Sequence, residues 1–137
     1  MIVADTGALV ALIDADDRHH AKVRVLFEAD PGAWVIPWAV LPEVDYLLGA
    51  HVGRTSQDAF LTDLARGAFA VDWGRPEDVE RANTLHRKYP TLRLGLVDGV
   101  VIAIAERLRA KAIATLDLRQ FGTVAIRGRP KLLPRDA

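Results

Sequence analysis

Short apolar runs alternate with longer amphipathic stretches along this chain, and most of the runs stop at a turn signal. The runs lie at residues 2–4, 34–36, 68–71, 111–115 and 123–126. Between them, apolar residues recur at the three- and four-residue spacing of helices. Strands that alternate with helices predict a parallel α/β sheet. No repeat, low-complexity tract or linker breaks this order, so we expect residues 1–137 to form a single domain.

Six helices are predicted from the same pattern. Their ranges are residues 7–15, 18–29, 38–50, 55–67, 75–89 and 96–109. In the second, the expected buried positions are Ala21, Val25, Leu26 and Ala29. The fourth begins with a sequence typical of a capping box at Thr55. The last is the most apolar, and a helix that is apolar all round is buried.

Composition limits the kinds of metal site and of binding partner that this chain can have. The chain has no cysteine, which excludes disulfides, thiolate chemistry and cysteine-bound metals, so any metal must be held by oxygen or imidazole ligands. Eighteen basic residues balance eighteen acidic ones, which argues against a protein that coats nucleic acid but leaves room for an enzyme that binds it locally. No stretch could span a bilayer, so we expect a soluble, cytoplasmic protein with no membrane contact.

The basic tail at residues 126–137 carries Arg127, Arg129, Lys131 and Arg135 against one acid, Asp136. Two interpretations stay open for it. It is either a frayed chain end or a contact for a phosphate backbone.

Three carboxylates occupy positions where ligand sites form in such sheets. Asp5 follows the first predicted strand, Asp117 follows the strand at 111–115, and Asp98 lies in the first turn of the buried helix. Asp5 and Asp98 are also explained as simple helix caps. Glu43 and Asp45 border the buried stripe of the helix at 38–50 on opposite sides, and the pattern does not decide between them.

Carboxylates that converge at one sheet edge repel one another, and a divalent cation relieves that repulsion. Oxygen ligands without cysteine suit Mg²⁺ or Mn²⁺, which serve phosphate chemistry. The hydroxyls of Thr6 and Thr115 are placed to orient the carboxylates or a bound water.

Four sequence blocks occur in order along the chain: Asp5-Thr6-Gly7-Ala8-Leu9, Leu41-Pro42-Glu43-Val44, Leu96-Val97-Asp98-Gly99-Val100, and Ile113-Ala114-Thr115-Leu116-Asp117-Leu118-Arg119. Together they resemble the blocks of the PIN-domain nucleases, and in particular those of the VapC toxins of bacterial toxin–antitoxin pairs. The resemblance implies a five-stranded parallel sheet sandwiched by helices. It also implies an endoribonuclease that needs Mg²⁺ or Mn²⁺, forms a homodimer and is inhibited by a VapB-type antitoxin protein.

The acidic positions of that family fall on Asp5, Glu43, Asp98 and Asp117, which makes these four the expected metal ligands and catalytic residues. Thr6 and Thr115 are the implied supporting hydroxyls. The resemblance also selects Glu43 over Asp45.

One departure from the family is Gly99, where the family more often has alanine. A glycine there is expected to lower stability slightly.

Two arginines near the predicted loop edges, Arg93 and Arg119, are candidates to hold RNA phosphates. Three alternatives to the toxin remain: a catalytically silent PIN-fold binding module, an RNA-processing PIN nuclease without an antitoxin, and a receiver-like signalling domain. The receiver-like domain is disfavoured because Asp5 is followed by Thr6 rather than a second acid, and because the last predicted strand carries no lysine.

Overall fold

Five parallel strands form one sheet in the order β3-β2-β1-β4-β5 in a computed structural model that describes residues 1–137. The strands are β1 Ile2–Ala4, β2 Trp34–Pro37, β3 Ala70–Asp72, β4 Ala112–Ala114 and β5 Lys131–Leu133. The first strand of the chain is therefore the central one, and Val3 aligns with Val35 on one side and Ile113 on the other.

Seven α-helices connect and cover these strands. They are α1 Thr6–Ile13, α2 His20–Ala29, α3 Leu41–Leu47, α4 Arg54–Ala65, α5 Pro76–Lys88, α6 Leu96–Arg107 and α7 Leu118–Thr123. The predicted α/β class with a five-stranded parallel sheet is confirmed. No helix combines the length and the apolar character needed to cross a membrane.

The core explains why the central strands and α6 are so apolar. All three residues of β1 and of β4 are buried, because both strands have neighbours on each side. In α6, every residue from Gly99 to Ala105 is buried, as its uniform apolar character predicts. This helix contacts β1 and β2 as well as α5, so it packs directly against the central strand.

The close contact between α5 and α6 accounts for Gly99. A Cβ atom built on Gly99 would lie 2.6 Å from Cβ and 2.8 Å from Cα of Ala82 in α5. Alanine would therefore force the two helices apart. The expectation that Gly99 weakens the protein is wrong, because the close approach of the helices outweighs the helix propensity of alanine.

An ion-pair network joins the same region to the edge strand. The guanidinium of Arg107 contacts Asp72 at 2.6 Å and Asp78 at 2.9 Å, and the side chain of Asp78 is almost fully buried. These bonds link the last turn of α6 to the end of β3 and the start of α5.

The last strand differs from the prediction. Residues 123–126 are not a strand. Thr123 is the last residue of α7, a helix that the sequence pattern did not indicate, and residues 124–126 follow it. The fifth strand is Lys131–Leu133, inside the basic tail, where the Lys131 amide donates to the Lys111 carbonyl and the Thr115 amide donates to the Leu133 carbonyl, both at 2.9 Å. The tail is thus an ordered edge of the sheet, and its interpretation as a frayed end is wrong.

Three helix details also differ. In α2 the buried face is Val23 with the half-buried Leu26 and Phe27, whereas Val25 is 67% exposed. Helix α4 begins at Arg54 after Gly53, so Thr55 is not its cap. The predicted helix at 38–50 consists of a 3₁₀ turn (Trp38–Val40), α3, and a wider π turn (Leu48–Val52).

Candidate active site

The carboxyl ends of β1 and β4 bring two of the predicted acids together. Asp5 directly follows β1, and its amide donates to the Ala114 carbonyl of β4 at 2.9 Å. The chain then continues from β4 through Thr115 to Asp117. Because neighbouring parallel strands end at the same edge, the carboxylates of Asp5 and Asp117 both lie at the carboxyl edge of the sheet.

The hydroxyl of Thr115 links these two acids. It donates a hydrogen bond to Oδ2 of Asp5 at 2.9 Å and accepts one from the Asp117 amide at 3.0 Å. Thr115 is completely buried, so this hydroxyl has a fixed orientation. Asp117 also caps α7, since its Oδ1 accepts from the Gln120 amide at 3.1 Å.

The structure separates Glu43 from Asp45, which the sequence pattern left open. The Thr6 hydroxyl donates to Oε1 of Glu43 at 2.6 Å, which directs Glu43 toward the end of β1. Asp45 instead accepts a hydrogen bond from the Gln57 amide of α4 at 3.0 Å. Glu43 therefore faces the candidate site and Asp45 faces away from it.

Burial and mutual repulsion raise the pKa of two acids. The pKa of Asp5 rises to about 6, and desolvation by burial is the largest cause. Hydrogen bonds from the Thr6 amide and the Thr115 hydroxyl partly offset this rise, and the charges of Asp117 and Glu43 add to it. Asp98 has its pKa raised to about 7, first by desolvation and then by the charges of Asp5, Asp117 and Glu43. The four acids thus form one electrostatic cluster, which we call the acidic cluster.

Helix capping does not explain the buried Asp5 or the half-buried Asp98. Asp5 precedes α1 but makes no side-chain capping bond, and the residue at the N-cap of α6 is Gly95 rather than Asp98. The simple-cap alternative is therefore wrong for both.

The acidic cluster fits a divalent cation in charge and in donor chemistry. Its carboxylate oxygens are hard ligands. The pKa values of Asp5 and Asp98 are raised first by desolvation and then by neighbouring carboxylates, and a bound cation would favour the ionised form against both effects. As placed, no three of these side chains stand in an arrangement that holds a metal ion. Hydrogen bonds from Thr6 and Thr115 hold the carboxylates of Glu43 and Asp5 in their present positions.

The two predicted phosphate-binding arginines lie beside the acidic cluster. Arg93, Arg119 and Asp117 line one cleft of about 560 Å³, together with Thr91, Leu92 and Gln120. We call it the arginine cleft. Both arginines are exposed, so their guanidinium groups are open to a ligand.

A second cleft adjoins Thr115, and no sequence motif marks it. It has a volume of about 320 Å³ and includes His19, Lys22 and Arg135. These residues come from distant parts of the chain and form no motif, so only the fold reveals that they are neighbours.

A parallel α/β sheet with four interacting carboxylates at its carboxyl edge defines a class of proteins with a candidate cation site. Within that class, the family model described as PIN domain matches residues 2–126, and the chain therefore belongs to the PIN-domain family. The resemblance stated from the sequence blocks is confirmed. The chain is also 33% identical over 123 residues to Ribonuclease VapC26 of Mycobacterium tuberculosis, which covers 90% of this chain and 91% of that protein.

Solved structures share the fold. VapC20 of Mycobacterium tuberculosis, described as a sarcin-ricin loop cleaving toxin, matches with a TM-score of 0.78 and 21% identity, over 90% of this chain and 97% of that one. A toxin–antitoxin complex from Klebsiella pneumoniae matches at 0.69 and 21%, over 91% and 93%. FitAcB from Neisseria gonorrhoeae matches at 0.66 and 11%, over 96% of both chains. At these identities the structural matches support the fold alone.

Proposed function

We propose that this chain is a Mg²⁺- or Mn²⁺-dependent endoribonuclease and the toxin of a toxin–antitoxin pair, inhibited by a VapB-type antitoxin. The observation that carries the proposal is the acidic cluster, in which burial and neighbouring charge raise the pKa of Asp5 and Asp98. The relative VapC26, 33% identical to this chain, is named a ribonuclease, which supports RNA as the substrate. The antitoxin partner is proposed from the resemblance of the sequence blocks to those of the VapC toxins.

In this proposal Asp5 and Asp98 are the first ligands of the cation, and Glu43 and Asp117 complete the set directly or through water. A bound divalent cation supplies the polarisation of a phosphoryl oxygen and lowers the pKa of a coordinated water. Hydrolysis would form a bond from the water oxygen to phosphorus and break the bond from phosphorus to the 3′ oxygen, with one proton lost from the water and one taken up by the departing 3′ oxygen. The products carry a 5′-phosphate and a 3′-hydroxyl.

The other residues of the site orient these acids and hold the RNA. Thr115 fixes the carboxylate of Asp5, and Thr6 fixes that of Glu43. Arg93 and Arg119 offer two guanidinium groups to phosphates next to the cleaved bond. A homodimer and a cytoplasmic location belong to the same proposal.

The test is to incubate the purified protein, free of antitoxin, with total bacterial RNA in Mg²⁺, in Mn²⁺ and in EDTA. We expect discrete fragments that need the metal and that disappear with Asp98→Ala. Asp45→Asn is the matched control, because Asp45 faces Gln57 instead of the acidic cluster.

The second candidate function is a catalytically silent binding module, which is favoured by the absence of a closed three-acid arrangement. No cleavage of any RNA, together with no Mn²⁺ binding by calorimetry, would refute the nuclease and leave the binding module as the remaining function.

A further inference from the structure

The cleft beside Thr115 has a defined position relative to the arginine cleft. Asp117 lines the arginine cleft, whereas its neighbours Leu116 and Leu118 line the second one, together with His19, Lys22, Thr115, Pro134 and Arg135. Residues 116–118 are therefore the wall between the two clefts. Asp117, a member of the acidic cluster, lies on this wall. We call the second cleft the lysine cleft.

The lysine cleft combines one free cation with an apolar lining. Lys22 is exposed and makes no ion pair or side-chain hydrogen bond, so its ammonium is available to a ligand. Arg135 is less available because its guanidinium binds Asp136 through two hydrogen bonds, at 2.8 and 3.1 Å. Leu116, Pro134 and the 39% exposed Leu118 supply apolar surface.

The volume, charge and lining of the lysine cleft match a single nucleotide. The volume of about 320 Å³ is at the lower end of the range for small-ligand sites, which begins at about 300 Å³. An ammonium at the rim matches a phosphate, and an apolar lining matches the face of a base. An acidic ligand without an apolar part would leave Leu116 and Leu118 unused.

We propose that the lysine cleft is a substrate subsite that holds a nucleotide of single-stranded RNA, with Lys22 on its phosphate. This inference rests on the proposed nuclease function. The arginine cleft holds the strand on one side of the cleaved bond and the lysine cleft holds it on the other. The strand then crosses residues 116–118, which places one phosphodiester bond next to the acidic cluster.

The experiment measures binding of a short, fluorescein-labelled, single-stranded RNA of mixed sequence by anisotropy at several salt concentrations. Asp98→Asn is the background, so that the RNA is not cut in Mg²⁺. Each phosphate that a protein neutralises on a single strand contributes about 0.7 to the slope of log affinity against log salt. We expect Lys22→Ala to lower the slope by about 0.7 and to weaken binding several-fold, and Lys22→Arg to restore both.

Lys111→Ala is the matched control. Lys111 is an exposed lysine that directly precedes β4, so it lies at the amino edge of the same strand whose carboxyl end carries Thr115. Its removal is expected to leave the slope unchanged. A Lys22→Ala slope equal to that of the background protein, or an equal loss in Lys111→Ala, would overturn the subsite.

The failure of the subsite and the failure of the nuclease have different signatures. With the active chain, Lys22→Ala should raise KM and leave kcat unchanged. If the active chain cuts no RNA, the nuclease proposal fails, and the salt slope still decides whether the lysine cleft binds a nucleic acid strand.

Discussion

Replacement of Asp5 by asparagine should remove activity and stabilise the metal-free protein at the same time. Asp5 is only 6% exposed, and its negative charge is disfavoured there. Asparagine has nearly the same shape and can still accept the hydrogen bond from Thr115, but it carries no charge. The substitution therefore removes a buried charge without creating a cavity.

The magnitude follows from the pKa of Asp5. A rise from 3.8 to about 6, at about 1.4 kcal/mol per pKa unit, makes ionised Asp5 about 3 kcal/mol less favourable in the folded than in the unfolded chain. Between pH 3.8 and about pH 6, Asp5 binds more protons in the folded state than in the unfolded state, so the free energy of unfolding falls as the pH rises. This decrease in the free energy of unfolding is complete above about pH 6 and absent below about pH 4.

Chemical denaturation in EDTA at pH 4.5 and pH 8 measures this effect. We expect Asp5→Asn to be about 1–3 kcal/mol more stable than the parent at pH 8, with a much smaller difference at pH 4.5. The exposed Asp16→Asn is the control and should change neither value. With Mn²⁺, the parent should gain stability by mass action, whereas Asp5→Asn should gain little and cut no RNA.

The reasoning is refuted if Asp5→Asn is less stable than the parent at pH 8 in EDTA, because its carboxylate would then be well solvated or already paired. It is equally refuted if Mn²⁺ stabilises both proteins alike, since Asp5 would then not be a ligand.

Three further outcomes are expected. Glu43→Gln should lower the rate of RNA cleavage in Mn²⁺ about 10–100-fold, whereas Asp45→Asn should not, and equal losses would contradict the assignment. Thr115→Val should lower kcat, and it should lower the free energy of unfolding by about 1–3 kcal/mol, because Asp5 loses a hydrogen-bond donor and the Asp117 amide loses an acceptor. Thr115→Ser keeps the hydroxyl and should retain both the kcat and the free energy of unfolding. Gly99→Ala should lower the free energy of unfolding, measured by urea titration, by about 1–3 kcal/mol. Adding Ala82→Gly should restore part of that loss. If the Gly99→Ala chain is instead more stable than the parent, α5 moves away from α6 without cost.

Features that depend on local pattern were predicted well. The apolar runs identified four of the five strands, and Asp5 and Asp117 were located because a carboxylate after a buried strand is a local signal. The alternation of strands and helices predicted the α/β class, and the resemblance of the sequence blocks implied the five-stranded parallel sheet. In contrast, Glu43 and Asp45 border the same helix stripe, and only tertiary partners, Thr6 for one and Gln57 for the other, separate them.

The errors came from competition between similar segments and from packing. Residues 123–126 and 131–133 are both short and apolar, and the structure pairs the later segment with β4. The role of Gly99 depends on its distance to Ala82, which no local rule contains. The lysine cleft was missed because its lining comes from three separate parts of the chain.

The central position of β1 has a consequence for folding. The hydrogen bond between Thr115 and Asp5 joins residues 110 positions apart, so it closes nearly the largest loop that the chain allows. Contacts of such long range form late, because the entropy of loop closure opposes them until the intervening structure is in place. A chain that is still being synthesised, or that has lost β4, holds Asp5 without its partners. Recovery of nuclease activity after refolding should therefore follow the slowest global step and not the formation of helices.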